Sequence, residues 1–350
     1  MGAIDADAHV LESPATWCYL RDNERAFLPM IVTQTFGNEI RANDGRATQQ
    51  NYWVVGSRIM GKDRNVGQEM TREIREMEDI PGRLRHMDEL GVDIQVLYPT
   101  MFLRPVTLDF RVEYALTRSY NRWLADIWKQ GGGRLRWTVM PPLRSPDRLR
   151  EEIVFGKEHG ACGIFMRGLE CEKALGDPFF YPLYELAQEL DLPICIHSAS
   201  GSATVHDFFE TDTTFTKFKL AVVGAFHSLV EKGVPTRFPK VRWGFVEVSA
   251  QWVPYVLNDL EDRFRRNGKK WFADPLRDNH MYVACEVTDD LPYVLRHSGP
   301  DNIVIGTDYG HHDPSSEINA IRLLRQDSRI DGAVAERILD RNARALYGIH

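Results

Sequence analysis

A chain of 350 residues with 43% hydrophobic and 27% charged residues has the make-up of a globular protein, long enough for one large α/β domain or two modest ones. Its net charge of −7 leaves no basic excess to meet phosphates, which excludes general nucleic-acid or anionic-membrane binding. No apolar run approaches the ~20 residues of a bilayer span, nothing resembling a signal peptide precedes the first candidate strand, and the five cysteines, Cys18, Cys162, Cys171, Cys195 and Cys285, lack CxxC spacing, as expected of a cytoplasmic protein.

Short apolar runs alternate with longer amphipathic ones along the chain. Strands are predicted at Ala3–Asp7, Asp93–Tyr98, Arg136–Met140, Cys162–Met166, Pro193–His197, Val241–Glu247, Met281–Glu286 and Asn302–Asp308. The stretches between them predict helices at Thr71–Leu90, Phe110–Lys129, Pro146–His159, Pro178–Leu190, Lys217–Lys232, Val253–Arg266, Asp290–His297, Glu317–Arg325 and Ala333–Leu346. Eight near-continuously apolar strands in βαβ order favour a closed (β/α)8 TIM barrel over a doubly wound sheet, and no GxGxxG follows any strand. Residues 1–350 are therefore expected to form one barrel domain. Residues 30–70 break the alternation, with a possible hairpin at Asn43-Asp44-Gly45; they read as an insertion after strand one, either a lid over the barrel or a surface hairpin.

In such barrels chemistry sits at the C-terminal ends of the strands. The first strand runs into DADAHVLE, which offers Asp7, His9 and Glu12. Asp7 and His9 are two residues apart, so an extended strand sends both side chains to one face. Strand five ends PICIH at His197, strand six ends GFVE at Glu247, and strand eight ends VIGTD at Asp308 with His311 and His312 close behind. Four strands thus deliver carboxylates and imidazoles to one rim, the pattern of a metal site. Alternatives stand beside two of them: Glu247 can orient a ligand histidine rather than bind metal, and Glu12 can face a helix N-terminus. Arg167, in GIFMRG, is placed to clamp a substrate carboxylate or to pair with a rim acid. Tyr98 and Thr100 either line the pocket or cap the loop after strand two.

DADAHVLE, PICIH, FPKVRWGFVEVSAQWVPYVL and NIVIGTDYGHHD resemble the amidohydrolase-related family over residues 3 to 346, nearly the whole chain. That resemblance implies a metal-dependent enzyme of the branch that decarboxylates or hydrolyses aromatic or carboxylated molecules, with His9, His197 and Asp308 as ligands and Asp7 opening the same motif. Three departures stand out: the added Glu12, Glu247 where the decarboxylases carry a strand-six histidine, and Tyr309-Gly310-His311-His312 where the family usually has a proline. In these departures the chain is similar to a non-haem diiron monooxygenase type on the same barrel. The expectation is therefore two divalent ions, iron by preference, held by Asp7, His9, Glu12, His197, Glu247, Asp308 and His312, with His311 moving the proton. O2 would hydroxylate a hydrophobic carboxylic acid or its acyl thioester, bound with help from Arg167 and Tyr98. The alternative is one zinc or manganese ion in a decarboxylase or hydrolase. A homo-oligomer is expected.

Overall fold

The structure, a computed structural model, describes residues 2–35, 49–62, 66–67, 69–209 and 214–350. In chain order its strands are β1 (Ile4–His9), β2 (Met30–Thr35), β3 (Gln49–Val55), β4 (Arg58–Gly61), β5 (Ile94–Tyr98), β6 (Leu135–Val139) and β7 (Ala161–Arg167). There follow the two-residue strands β8 (Leu169–Glu170) and β9 (Lys173–Ala174), then β10 (Ile194–His197), β11 (Trp243–Val246), β12 (Met281–Cys285) and β13 (Ile303–Ile305).

Eight of them form one parallel sheet in the order β1-β5-β6-β7-β10-β11-β12-β13. The ends of this sheet meet at the rim, where Asp308 N donates to Asp7 O at 2.9 Å and His9 N donates to Tyr309 O at 2.8 Å. The sheet is thus nearly closed, the (β/α)8 arrangement expected for strands that are apolar on both faces. Its strands are buried almost throughout, with Phe165, Trp137, Trp243 and Phe245 among the largest buried side chains.

A polar layer lies beneath the rim. Arg83 Nε donates to Gln95 Oε1 at 2.7 Å, Gln95 Nε2 donates to Asp5 Oδ2 at 3.0 Å, and Thr307 donates to both Asp5 oxygens. These bonds tie β1, β5 and the run after β13 to one another, and Arg83 Nη2 also reaches the carbonyl of His9. Burial raises the Asp5 carboxyl to about 6 despite the Thr307 bonds that lower it.

The predicted helix over Thr71–Leu90 divides into Arg72–Arg75 and Ile80–Leu90. Met77 between them has φ 60°, and Pro81 lacks the N–H an unbroken helix would use, so the second helix restarts there, capped by Asp79 on Gly82 N. The predicted Lys217–Lys232 and Ala333–Leu346 helices each include a π-helical turn, Phe215–Lys219 and Arg337–Arg341. Of the insertion, β2, β3 and β4 form an antiparallel sheet in that order. The hairpin predicted at Asn43-Asp44-Gly45 lies outside the described residues. The insertion's far end meets the rim: Gly67 N donates to Gly310 O at 3.1 Å, and Val66 forms a bridge with His311.

Candidate metal centre

The strand ends aim their polar side chains at a common point. His9 closes β1, His197 closes β10, and Glu247 and Asp308 follow β11 and the run beyond β13. Glu247 and Asp308 have φ of 57° and 52°, the left-handed region that a non-glycine residue enters at a cost of roughly 1–3 kcal/mol each. This strain turns both carboxylates inward instead of along the strand direction.

Two overlapping sets of ligand atoms result, Asp7, His9, His197 and Glu247 in one and His9, Glu247, Asp308 and His311 in the other; within each set the atoms lie inside 4.8 Å of one another. His9 Nε2 is 3.4 Å from Asp7 Oδ1, 3.3 Å from Asp308 Oδ1 and 3.1 Å from His197 Nε2. His197 Nε2 is 3.2 Å from both Asp7 Oδ1 and Glu247 Oε2.

The far nitrogens of these rings fix their tautomers. His9 Nδ1 lies 2.9 Å from the Pro99 carbonyl and His197 Nδ1 lies 3.3 Å from the Ser198 carbonyl. Carbonyls only accept, so each Nδ1 carries the proton and each Nε2 presents a lone pair to the cluster, as in a metal-ligating histidine. Two facing lone pairs and three carboxylates repel one another unless a cation sits between them. Glu247 Oε2 is buried without an aligned hydrogen-bond donor among the described residues, although His197 Nε2 is close. The donor set therefore fits a divalent ion.

Electrostatics agree with that reading. Burial, reinforced by Asp308, Asp313 and Asp7, raises the Glu247 carboxyl well above the ordinary range, whereas Asp7, despite its burial, is held low by His197 and His9. Burial and the nearby His311 lower His9 to about 4, keeping it neutral. His311 goes the other way. Its burial is outweighed by Asp308, whose Oδ1 lies 2.8 Å from Nδ1, and its affinity for a proton rises. Thr100 Oγ1 donates to Val10 O and accepts from His311 Nε2 at 3.0 Å, and Ser316 Oγ donates to Asp308 Oδ2 at 2.5 Å.

Four expected site residues lie elsewhere. Glu12 is buried beside the cluster but not in it, because Oε1 accepts Thr100 N at 3.2 Å and Oε2 accepts Met101 N at 2.8 Å. His312 is exposed; the turn at Gly310, with φ 104°, sends His311 inward and its neighbour out. Tyr98 is fully buried with its hydroxyl 2.9 Å from that of Tyr347, so it packs beneath His197 and does not face a pocket. Arg167 is committed to bonds within the fold. It pairs with Glu170 through two bonds of 2.8 and 2.6 Å and donates Nη1 to the carbonyls of Phe102 and Arg104. The Arg-x-x-Glu spacing of Arg167 and Glu170 was the available signal.

A small cavity of about 30 Å³ opens onto Glu247 and His311 and is walled by Thr100, Leu103, Arg104, Phe218 and Asp313. Arg104, Phe218 and Asp313 were not anticipated. They lie on loops and a helix end outside every motif, and only the fold brings them to the rim.

A barrel with such a rim defines a metal-dependent barrel enzyme. The family model described as Amidohydrolase matches residues 4–349, and the chain belongs to that family. No curated protein matches it. Among solved structures it is similar to an amidohydrolase from Mycobacterium avium subsp. paratuberculosis K-10, at TM-score 0.78 and 19% identity over 100% of this chain and 98% of that one. It is similar also to 5-carboxyvanillate decarboxylase from Sphingomonas paucimobilis, at TM-score 0.70 and 18% identity over 100% and 99% of the two chains. A third is 5-carboxyvanillate decarboxylase from Novosphingobium aromaticivorans, solved with manganese and 4-hydroxy-3-methoxy-5-nitrobenzoic acid, at TM-score 0.64 and 19% identity over 76% and 79%. Among the described residues no helix is long and apolar enough to cross a membrane.

Proposed function

We propose that this protein uses a divalent metal ion to decarboxylate or hydrolyse a small carboxylic acid. The observation that carries the reading is the gathering of Asp7, His9, His197 and Glu247 into one set of ligand atoms that shares His9 and Glu247 with a second, completed by Asp308 and His311. The two carboxyvanillate decarboxylases on the same fold, one with manganese and an aromatic acid, support it. Manganese or zinc suits a single site of mixed imidazole and carboxylate donors.

When bound, such an ion supplies Lewis acidity toward a substrate oxygen. The rest falls to the chain. His9 and His197 keep lone pairs inward because their Nδ1 protons are committed to backbone carbonyls. His311 holds a proton against Asp308 and is the group to hand it to the substrate carbon or leaving group. The Val66 and Gly67 backbone, at the end of the insertion, lies on the His311 loop and shields that side of the rim from water.

One observation favours a second reading, O2-dependent hydroxylation of a hydrophobic acid or its thioester at two irons. The two ligand sets share His9 and Glu247 and include three carboxylates, more than one ion needs. Metal analysis of protein purified without oxygen separates the two. One manganese or zinc per chain, with CO2 released from aromatic carboxylates, supports the first reading. Two irons per chain, falling in Glu247→Ala, with O2 consumed in the presence of apolar acids, supports the second and overturns the first.

A further inference from the structure

The seam where the barrel closes runs through its ligand cluster. β1 and β13 stand at the two ends of the sheet, joined at the rim by the backbone bonds His9 N to Tyr309 O and Asp308 N to Asp7 O. Asp7 and His9 lie on one side of that seam and Asp308 on the other, so the 3.3 Å between His9 Nε2 and Asp308 Oδ1 is set across it. The Ile80–Leu90 helix reaches both sides. Arg83 Nη2 donates to the carbonyl of His9 at 3.2 Å, while its guanidinium carbon lies 3.5 Å from the centroid of the Tyr309 ring, next in the chain to Asp308. One helical turn on, His86 Nδ1 is 2.7 Å from the Tyr309 hydroxyl and steadies that ring against the guanidinium. Stability alone does not account for Arg83. It is fully buried, burial lowers its guanidinium to about 10, and Nη1 has no hydrogen-bond partner among the described residues. Buried cations of this kind are often replaced by apolar side chains with no loss of stability. What a guanidinium adds is a planar group whose edge donates to one side of the seam while its face rests on an aromatic ring of the other.

We propose that Arg83 is a positioning residue of the metal centre, a clamp across the barrel seam that holds the His9 and Asp308 ligand atoms at the spacing an ion requires. It acts through the His9 carbonyl on one side and the Tyr309 ring on the other, and touches no ligand atom itself. The bonds from Arg83 Nε to Gln95 and from Gln95 to Asp5 anchor the clamp to β5 and β1. This inference rests on the metal reading above, yet it stands or falls on a different comparison.

Cobalt(II) is the probe, because its visible absorption reports ligand geometry and its affinity is measured by competition with a chelator. Arg83→Met, which fills the space without the fork, is expected to weaken cobalt binding at least tenfold and to shift the absorption band. Arg83→Lys, with one ammonium for the two sides, falls between. Tyr309→Phe keeps the ring and stays within about twofold of the parent. Tyr309→Leu loses the ring and weakens binding, but adds nothing in the Arg83→Met background, since both remove the same contact. Ile153→Ala, a buried change in the Leu149–Glu158 helix, lowers the unfolding temperature and leaves affinity and spectrum alone, which separates positioning from general loss of stability. An Arg83→Met protein that matches the parent in both readouts overturns the clamp, as does an Ile153→Ala protein that shifts them as far. A parent that takes up no cobalt, or Glu247→Ala binding it as tightly as the parent, overturns the metal reading and the clamp with it.

Discussion

Replacing Glu12 with glutamine tells an architectural carboxylate from a metal ligand. Each Glu12 oxygen takes one backbone amide of the loop after β5, Thr100 N and Met101 N, and the residue is 2% exposed. Glutamine keeps one acceptor and turns an NH2 toward the other amide, so a buried N–H loses its partner at a cost of about 1–3 kcal/mol. The pH dependence adds a signature. Burial pushes the Glu12 carboxyl from its ordinary 4.5 up to about 7, even though its amide bonds pull the other way. The folded chain therefore holds a proton over a range where the unfolded chain has released it. That contribution to stability is full below pH 4.5 and is lost as the pH rises through about 7, on the order of 3 kcal/mol in all. The variant has no such proton, so its deficit relative to the parent is widest at and below about pH 4.5 and narrows toward neutrality. Urea unfolding followed by tryptophan fluorescence across this range measures the deficit, with metal per chain determined on the same samples. A deficit that widens with pH would refute the reasoning. So would a loss of metal as large as that in Glu247→Ala.

Gly306→Ala puts a methyl 2.2 Å from Asp7 Cβ and 2.9 Å from its amide nitrogen; since backbone must shift, it is expected to cost ~1–3 kcal/mol and to lower metal content, checked by thermal unfolding and metal analysis. His312→Ala, at an exposed position, should leave stability within ~0.5 kcal/mol and metal content unchanged, whereas His311→Asn should retain metal while slowing turnover. Cys18 is exposed and should react with a thiol reagent at once, while Cys162, pushed up to about 12 by burial, and the buried Cys195 and Cys285 should label only on unfolding, as mass spectrometry of the quenched reaction would show.

Much of this architecture is legible from local pattern, because a strand buried on both faces is written as an unbroken apolar run and its end as the first polar residue. PICIH, GFVE and VIGTD carry that code, and the structure brings His197, Glu247 and Asp308 together where those runs stop. What stays hidden is decided between distant segments or by one backbone angle. Nothing near Glu12 announces that its partners are amides 88 and 89 residues away. Nothing near Tyr98 announces Tyr347, 249 residues on. The choice of His311 over His312 turns on the Gly310 backbone, which a sequence of two adjacent histidines cannot express. The break in the Thr71–Leu90 helix differs in kind, since Pro81 was in plain view and a strong flanking periodicity obscured it.

The closure of the barrel also bears on how the protein is made. β1 is translated first, but one of its edges waits for Asp308 and Tyr309, some 300 residues later, and Tyr347 near the end of the chain donates to the carbonyl of Ala6. Pairings of such long sequence separation form slowly. A nascent chain therefore carries Asp7 and His9 for most of its synthesis without the partners that would hold an ion. The second set of rim ligands is complete only once Asp308 and His311 have been made, and a chain halted before β13 exposes an unpaired edge of β1, the hazard that molecular chaperones exist to shield.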